Sequence, residues 1–124
     1  MKSGIELLAD TPGTGSSVER HEWYDVRLKM WLSGGDAVHW TAPWGLVDRA
    51  RTEDEGTTLF TTLRVDRVFM FPGLFYGVEG MRVGGTRRVR VAPHLAYREA
   101  GIAGVIPPHA LLTVEIEIVA RRAV

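Results

Sequence analysis

The run PGLFYGVEGMRVGGTRRVRV, Pro72 to Val91, changes its apolar period halfway along. Leu74, Val78 and Met81 stand at i, i+4 and i+7, which is one face of a short helix. Pro72 suits a first helical position, where its missing N–H would have no intrahelical partner anyway. Gly84 and Gly85 end the segment, and TRRVRV, Thr86 to Val91, then reads as a strand. A single amphipathic helix followed by a Gly turn and a strand needs a sheet to cover, so the neighbouring segments decide the fold.

Working outward, WYDVRLKMWL places Tyr24, Val26, Leu28, Met30 and Leu32 in alternation with Asp25, Arg27 and Lys29, the period of a half-buried strand. SGGD, Ser33 to Asp36, reads as a tight turn, and AVHW as a short second strand. Thr41 to Thr58 is irregular and carries a charge run from Arg49 to Glu55. It reads as a long loop, with or without a helical turn, and its charges as a solvated face. LFTTLRVDRVFMF, Leu59 to Phe71, supplies one strand or two, and LLTVEIEIV closes the chain with Leu112, Val114, Ile116 and Ile118 on one face. DTPGTGSSVERHE and APHLAYREAGIAGVIPPHA are turn-rich. The expected class is α+β, with the helix covering one face of a curved antiparallel sheet, in one domain spanning residues 1–124.

Composition narrows the function. The 124 residues are 45% apolar and 24% charged, and 15 basic residues balance 15 acidic ones, so no general attraction to nucleic acid or an anionic membrane is expected. Arg87, Arg88 and Arg90 form the densest basic cluster and read as a solvated strand face. The absence of cysteine excludes disulfide and thiolate chemistry. His21, His39, His94 and His109 lack ligand-like spacing, so neither a metal nor a cofactor is expected. MKSGIELLADTPGTG has no apolar stretch of signal-peptide length, and no segment approaches the roughly 18 apolar residues of a membrane span. A cytoplasmic monomer is the expectation.

The stretch from Pro72 to Val119 resembles the FKBP-type peptidyl-prolyl isomerases. The helix PGLFYGVEGM, the turn and strand VGGTRRVRV, the loop APHLAY, the loop GVIPPHA and the terminal strand occur in the family's order and spacing. The resemblance implies a five- or six-stranded antiparallel sheet wrapped around one short helix, and isomerisation of X–Pro bonds in peptides or proteins, with macrolide-type compounds as a further ligand class. It implies that Tyr97 donates its hydroxyl to a substrate carbonyl, and that Ile106 lines the pocket with its backbone N–H facing the ligand. It further implies that Met70, Phe71, Leu74, Val105 and Val114 line the pocket, with Leu74 at the floor.

The N-terminal half departs from the family. Leu28 stands where a pocket tyrosine is usual, and Val38 and His39 stand where a Phe-Asp pair is usual. These three are expected to contact substrate. Trp40 and Trp44 are candidates to replace lost aromatic surface, and Arg98 follows Tyr97 where the family usually has Gly. Isomerase activity is the preferred reading. The alternative is a degenerate binding module for a peptide, a protein or a small molecule. A third reading makes His39 a general acid or base.

Overall fold

The computed structural model describes residues 1–40, 50–102 and 106–123. The strands are β1 (Ile5–Thr11), β2 (Trp23–Leu32), β3 (Arg51–Glu53), β4 (Thr58–Arg64), β5 (Thr86–Val91) and β6 (Leu112–Arg122), and the helix is α1 (Pro72–Gly77). All strand pairs are antiparallel, in the order β1-β5-β6-β2-β4-β3. The result is the open curved sheet with one short helix that the sequence pattern implied.

β6 lies near the centre of the sheet, between β5 and β2, and its inward row is Leu112, Val114, Ile116 and Ile118, all buried. β2 lies beside it with Tyr24, Val26, Leu28 and Met30 buried. Both strands keep the period-two alternation read from their sequences because one face meets the helix and the core. Asp25, on the other face of β2, is also buried. Its carboxylate accepts from Thr62 Oγ1 at 2.7 Å and from Arg122 Nε at 3.2 Å, so its burial is compensated.

Pro72 occupies the first turn of α1, as its sequence position suggests. The predicted helical face ran on to Met81, but the helix stops at Gly77. Val78 still donates to Leu74 O and Met81 to Val78 O, so tight turns carry Val78 and Met81 into the core after regular helix has ended. The helix backbone approaches the sheet closely at Gly73. A Cβ there would stand 2.3 Å from Val91 Cγ1 and 3.0 Å from Leu95 O. Gly73→Ala is therefore expected to cost about 1–3 kcal/mol by overpacking, read as a lower urea midpoint at unchanged slope.

Three further expectations need correction. Residues 37–40 add no second strand. Val38 N donates to Met30 O, and Trp31 pairs with Ala37 in an isolated bridge, so the segment closes a turn on β2. The 41–58 loop contains β3, paired with β4, while its residues 41–49 lie outside the described residues. Arg87 is not solvated: it is 7% exposed, its guanidinium held by Asp10 and by the carbonyls of Gly77 and Glu79. Arg88 and Arg90, on the opposite face of β5, are exposed as expected. No helix among the described residues is long and apolar enough to cross a membrane.

Candidate active site

An apolar cavity of about 50 Å³, open to solvent, lies between the helix and one end of the sheet. β2 contributes Leu28, and β4 contributes Leu59, Thr61 and Leu63, alternate residues of one strand face. The segment entering α1 contributes Phe69 and Phe71, and α1 itself contributes Leu74. Tyr97 closes one side, and Trp40 and Ala50 lie on the remaining wall.

Tyr97 follows the 3₁₀ turn Pro93–Leu95. Its ring packs against Phe71, with centroids 5.2 Å apart and planes at 43°. Burial of the phenol pushes its pKa up to about 12, because the phenolate would lose its hydration. The hydroxyl is therefore a neutral donor at any working pH. Among the described residues nothing takes its hydrogen bond, so a ligand carbonyl in the cavity meets a free donor. Arg98 adopts φ 51°, a left-handed conformation, which explains why a glycine is at home in that place. It is fixed there by hydrogen bonds from Arg98 N to Pro93 O and from His109 N to Arg98 O.

The structure separates the sequence-derived site residues into groups. Leu28, Phe71, Leu74 and Tyr97 come together around the cavity. Val38, Met70, Val114 and Ile106 are buried in the core cluster behind it. His39 is exposed, and its Nδ1 lies 3.9 Å from the point a Cβ on Gly56 would occupy, away from the cavity. Val38 and Trp40 turn inward while His39 turns out, so two adjacent residues of this segment do not both face the same pocket. Val105 and Trp44 lie outside the described residues.

One implied role is overturned. The Ile106 N–H does not face a ligand: it donates to Ile102 O at 2.8 Å, while Ile102 N donates to Ile106 O at 2.7 Å. Ile106 instead anchors the loop that carries Tyr97 at its start. Gly101 sits at the narrow point of that loop with φ 59°, where a Cβ would fall 2.3 Å from Ile106 O. Sequence reading missed Leu59, Thr61, Leu63 and Phe69. The first three were accessible from the period-two pattern of LFTTLRV, whereas no local signal marks Phe69.

Residues 47–119 match the family profile described as FKBP-type peptidyl-prolyl cis-trans isomerase. The chain belongs to this family. FK506-binding protein 1A of Neurospora crassa is 40% identical over 122 residues, covering 98% of this chain and 91% of the relative. The bovine peptidyl-prolyl cis-trans isomerase FKBP10 is 40% identical over 90 residues, 70% of this chain but 15% of the relative. The chloroplastic FKBP16-4 of Arabidopsis thaliana is 40% identical over 88 residues, and the chain spans 38% of its length. Among solved structures, AtFKBP13 superposes with TM-score 0.69 at 21% identity over 97% of this chain and 94% of that one. FkpA from Escherichia coli superposes with TM-score 0.68 at 23% identity over 95% of this chain and 47% of that one. These two share the FKBP fold with the present chain. The apolar cavity with Tyr97 at its side is thus set in an FKBP framework.

Proposed function

We propose that the chain is a peptidyl-prolyl cis-trans isomerase acting on X–Pro bonds of peptides or proteins. The observation that carries this reading is the apolar cavity with the Tyr97 hydroxyl at its side, unengaged among the described residues and protonated at neutral pH. The names of its relatives, isomerases and FK506-binding proteins, support the same reading and add macrolide-type compounds as candidate ligands of the cavity.

The chemistry follows from the amide. Rotation about the X–Pro bond is opposed by a barrier of roughly 18–20 kcal/mol because it breaks conjugation between nitrogen and carbonyl. The twisted amide has less charge separation across its C–N bond than the planar one. Leu28, Leu63, Phe71 and Leu74 supply a surface that excludes water from the ring and favours the twisted form. Tyr97 donates to a carbonyl flanking the rotating bond and fixes the peptide while the rest turns. No covalent step or proton transfer is required, so the role of Tyr97 is hydrogen-bond donation.

Protease-free isomerisation of short X–Pro peptides tests this. The wild type is expected to accelerate exchange, and Tyr97→Phe to lower kcat/KM about fivefold, the value of one neutral hydrogen bond of about 1 kcal/mol. Because burial raises the phenol's pKa to about 12, the donor form is complete below that value and lost only as pH rises through it. The tyrosine-dependent part of the rate is therefore expected to be flat from pH 6 to 9. The same shift means that, between the ordinary phenol pKa near 10 and 12, the unfolded chain gives up a proton that the folded chain keeps, so stability falls with pH there. A folded protein that binds the peptides without accelerating exchange would instead be the binding module.

A further inference from the structure

Thr61 is the odd member of its row. On the inward face of β4 it stands between Leu59 and Leu63, opposite Val26 of β2, with 2% of its surface exposed. Its side chain lines the cavity, and its Oγ1 is fully buried without a hydrogen-bond partner among the described residues. The two other buried threonines on this strand both have partners: Thr58 Oγ1 donates to Asp54 at 2.7 Å and Thr62 Oγ1 to Asp25 at 2.7 Å. Buried hydroxyls ordinarily find a partner, because leaving one unpaired forfeits its hydration for nothing. Valine has the same shape and would fill this place without that cost. A plain pyrrolidine ring is entirely apolar and cannot satisfy the hydroxyl either.

Resting on the isomerase reading, we propose that Thr61 is a specificity-determining residue, and that its hydroxyl hydrogen-bonds an oxygen carried on the saturated ring that enters the cavity. A hydroxyl both donates and accepts, so a ring hydroxyl pairs with it in either direction. The ligand class is a ring-oxygenated proline, presented either in a peptide or as a small N-acyl ring compound. Tyr97 engages the amide carbonyl and Thr61 reads the ring, so the cavity distinguishes a hydroxylated ring from a plain one.

The test uses matched X–Pro and X–hydroxyproline peptides, with both 4-hydroxy epimers, and the corresponding N-acetyl prolinamides. Dissociation constants are measured by calorimetry, and isomerisation by the protease-free assay, for wild type, Thr61→Val and Thr61→Ser. One epimer is expected to bind the wild type about fivefold more tightly than its proline counterpart, the span of one hydrogen bond. That preference is expected to fall below twofold in Thr61→Val and to persist in Thr61→Ser. The ligand-free melting temperature of Thr61→Val is expected to equal or exceed that of the wild type, which a hydroxyl serving the structure would not allow. A preference in the small amides as well as the peptides assigns recognition to the ring, and one confined to peptides assigns it to the chain around it and overturns the proposal. Equal preference in wild type and Thr61→Val, no binding of either epimer at millimolar concentration, or a lowered melting temperature of Thr61→Val also overturns it. An epimer preference without accelerated exchange removes the isomerase reading and leaves the Thr61 assignment standing. Accelerated exchange without a preference does the reverse.

Discussion

Ile106→Ala is expected to destabilise the protein by about 2–5 kcal/mol and to reduce isomerisation more than Tyr97→Phe does. The side chain is 2% exposed within the core cluster, so truncation removes buried methylenes and leaves a cavity that the surrounding sheet fills only in part. The activity loss has a separate origin. Ile106 and Ile102 exchange two backbone hydrogen bonds, 2.7 and 2.8 Å long, and the neighbouring Gly101 N donates to Tyr97 O at 2.8 Å, which ties the Tyr97 segment to this bridge. Loosening the Ile106 anchor lets Tyr97 drift from Phe71, and a hydroxyl misplaced by a fraction of an ångström loses its bond to the substrate carbonyl. Urea unfolding gives the first quantity, and kcat/KM on an X–Pro peptide, measured well below the unfolding midpoint, gives the second. Full stability with full activity would show that the loop does not depend on this anchor.

Arg87→Leu is expected to cost about 3–5 kcal/mol, although the substitution is apolar and similar in length. Arg87 Nη1 donates to Gly77 O at 2.9 Å and to Glu79 O at 2.7 Å, satisfying carbonyls that the end of α1 leaves over. Its Nε donates to Asp10 on β1 at 3.2 Å. One guanidinium thus ties the helix end and the edge strand to β5. Leucine would leave two carbonyls and a carboxylate without a donor. Arg87→Lys is expected to recover little, because a single ammonium does not reach three acceptors arranged around a planar fork. Arg88→Leu and Arg90→Leu, on the exposed face, are expected to change stability by about 0.5 kcal/mol or less. Comparable urea midpoints for all three leucine variants would contradict this account.

The strands buried on one face were legible because their environment is itself periodic. Tyr24 to Met30 and Leu112 to Ile118 alternate between a packed face and an outer one, and their sequences record that alternation. β1 carried no such record: of Ile5–Thr11 only Ile5 is buried, and the strand is held through backbone pairing with β5. β3 is three residues long, too short for a period to show. The helix was legible in its start, where Pro72 is a local chemical signal. Its end at Gly77 was not, because the tight turns that follow keep Val78 and Met81 in the same apolar row.

The sequence by itself determined the α+β class, the inward rows of β2 and β6, the helix start and, through the motifs from Pro72 to Val119, the family. Each of these depends on residue type at a fixed spacing along the chain. Only the tertiary structure decided which side chains share the cavity, that Arg87 is buried beneath the helix end, that the Ile106 N–H is committed to Ile102, and that the Thr61 hydroxyl is buried without a partner among the described residues. Those features depend on what arrives from distant parts of the chain. Burial and hydrogen-bond satisfaction belong to the packed neighbourhood, and a residue's own sequence context does not contain it.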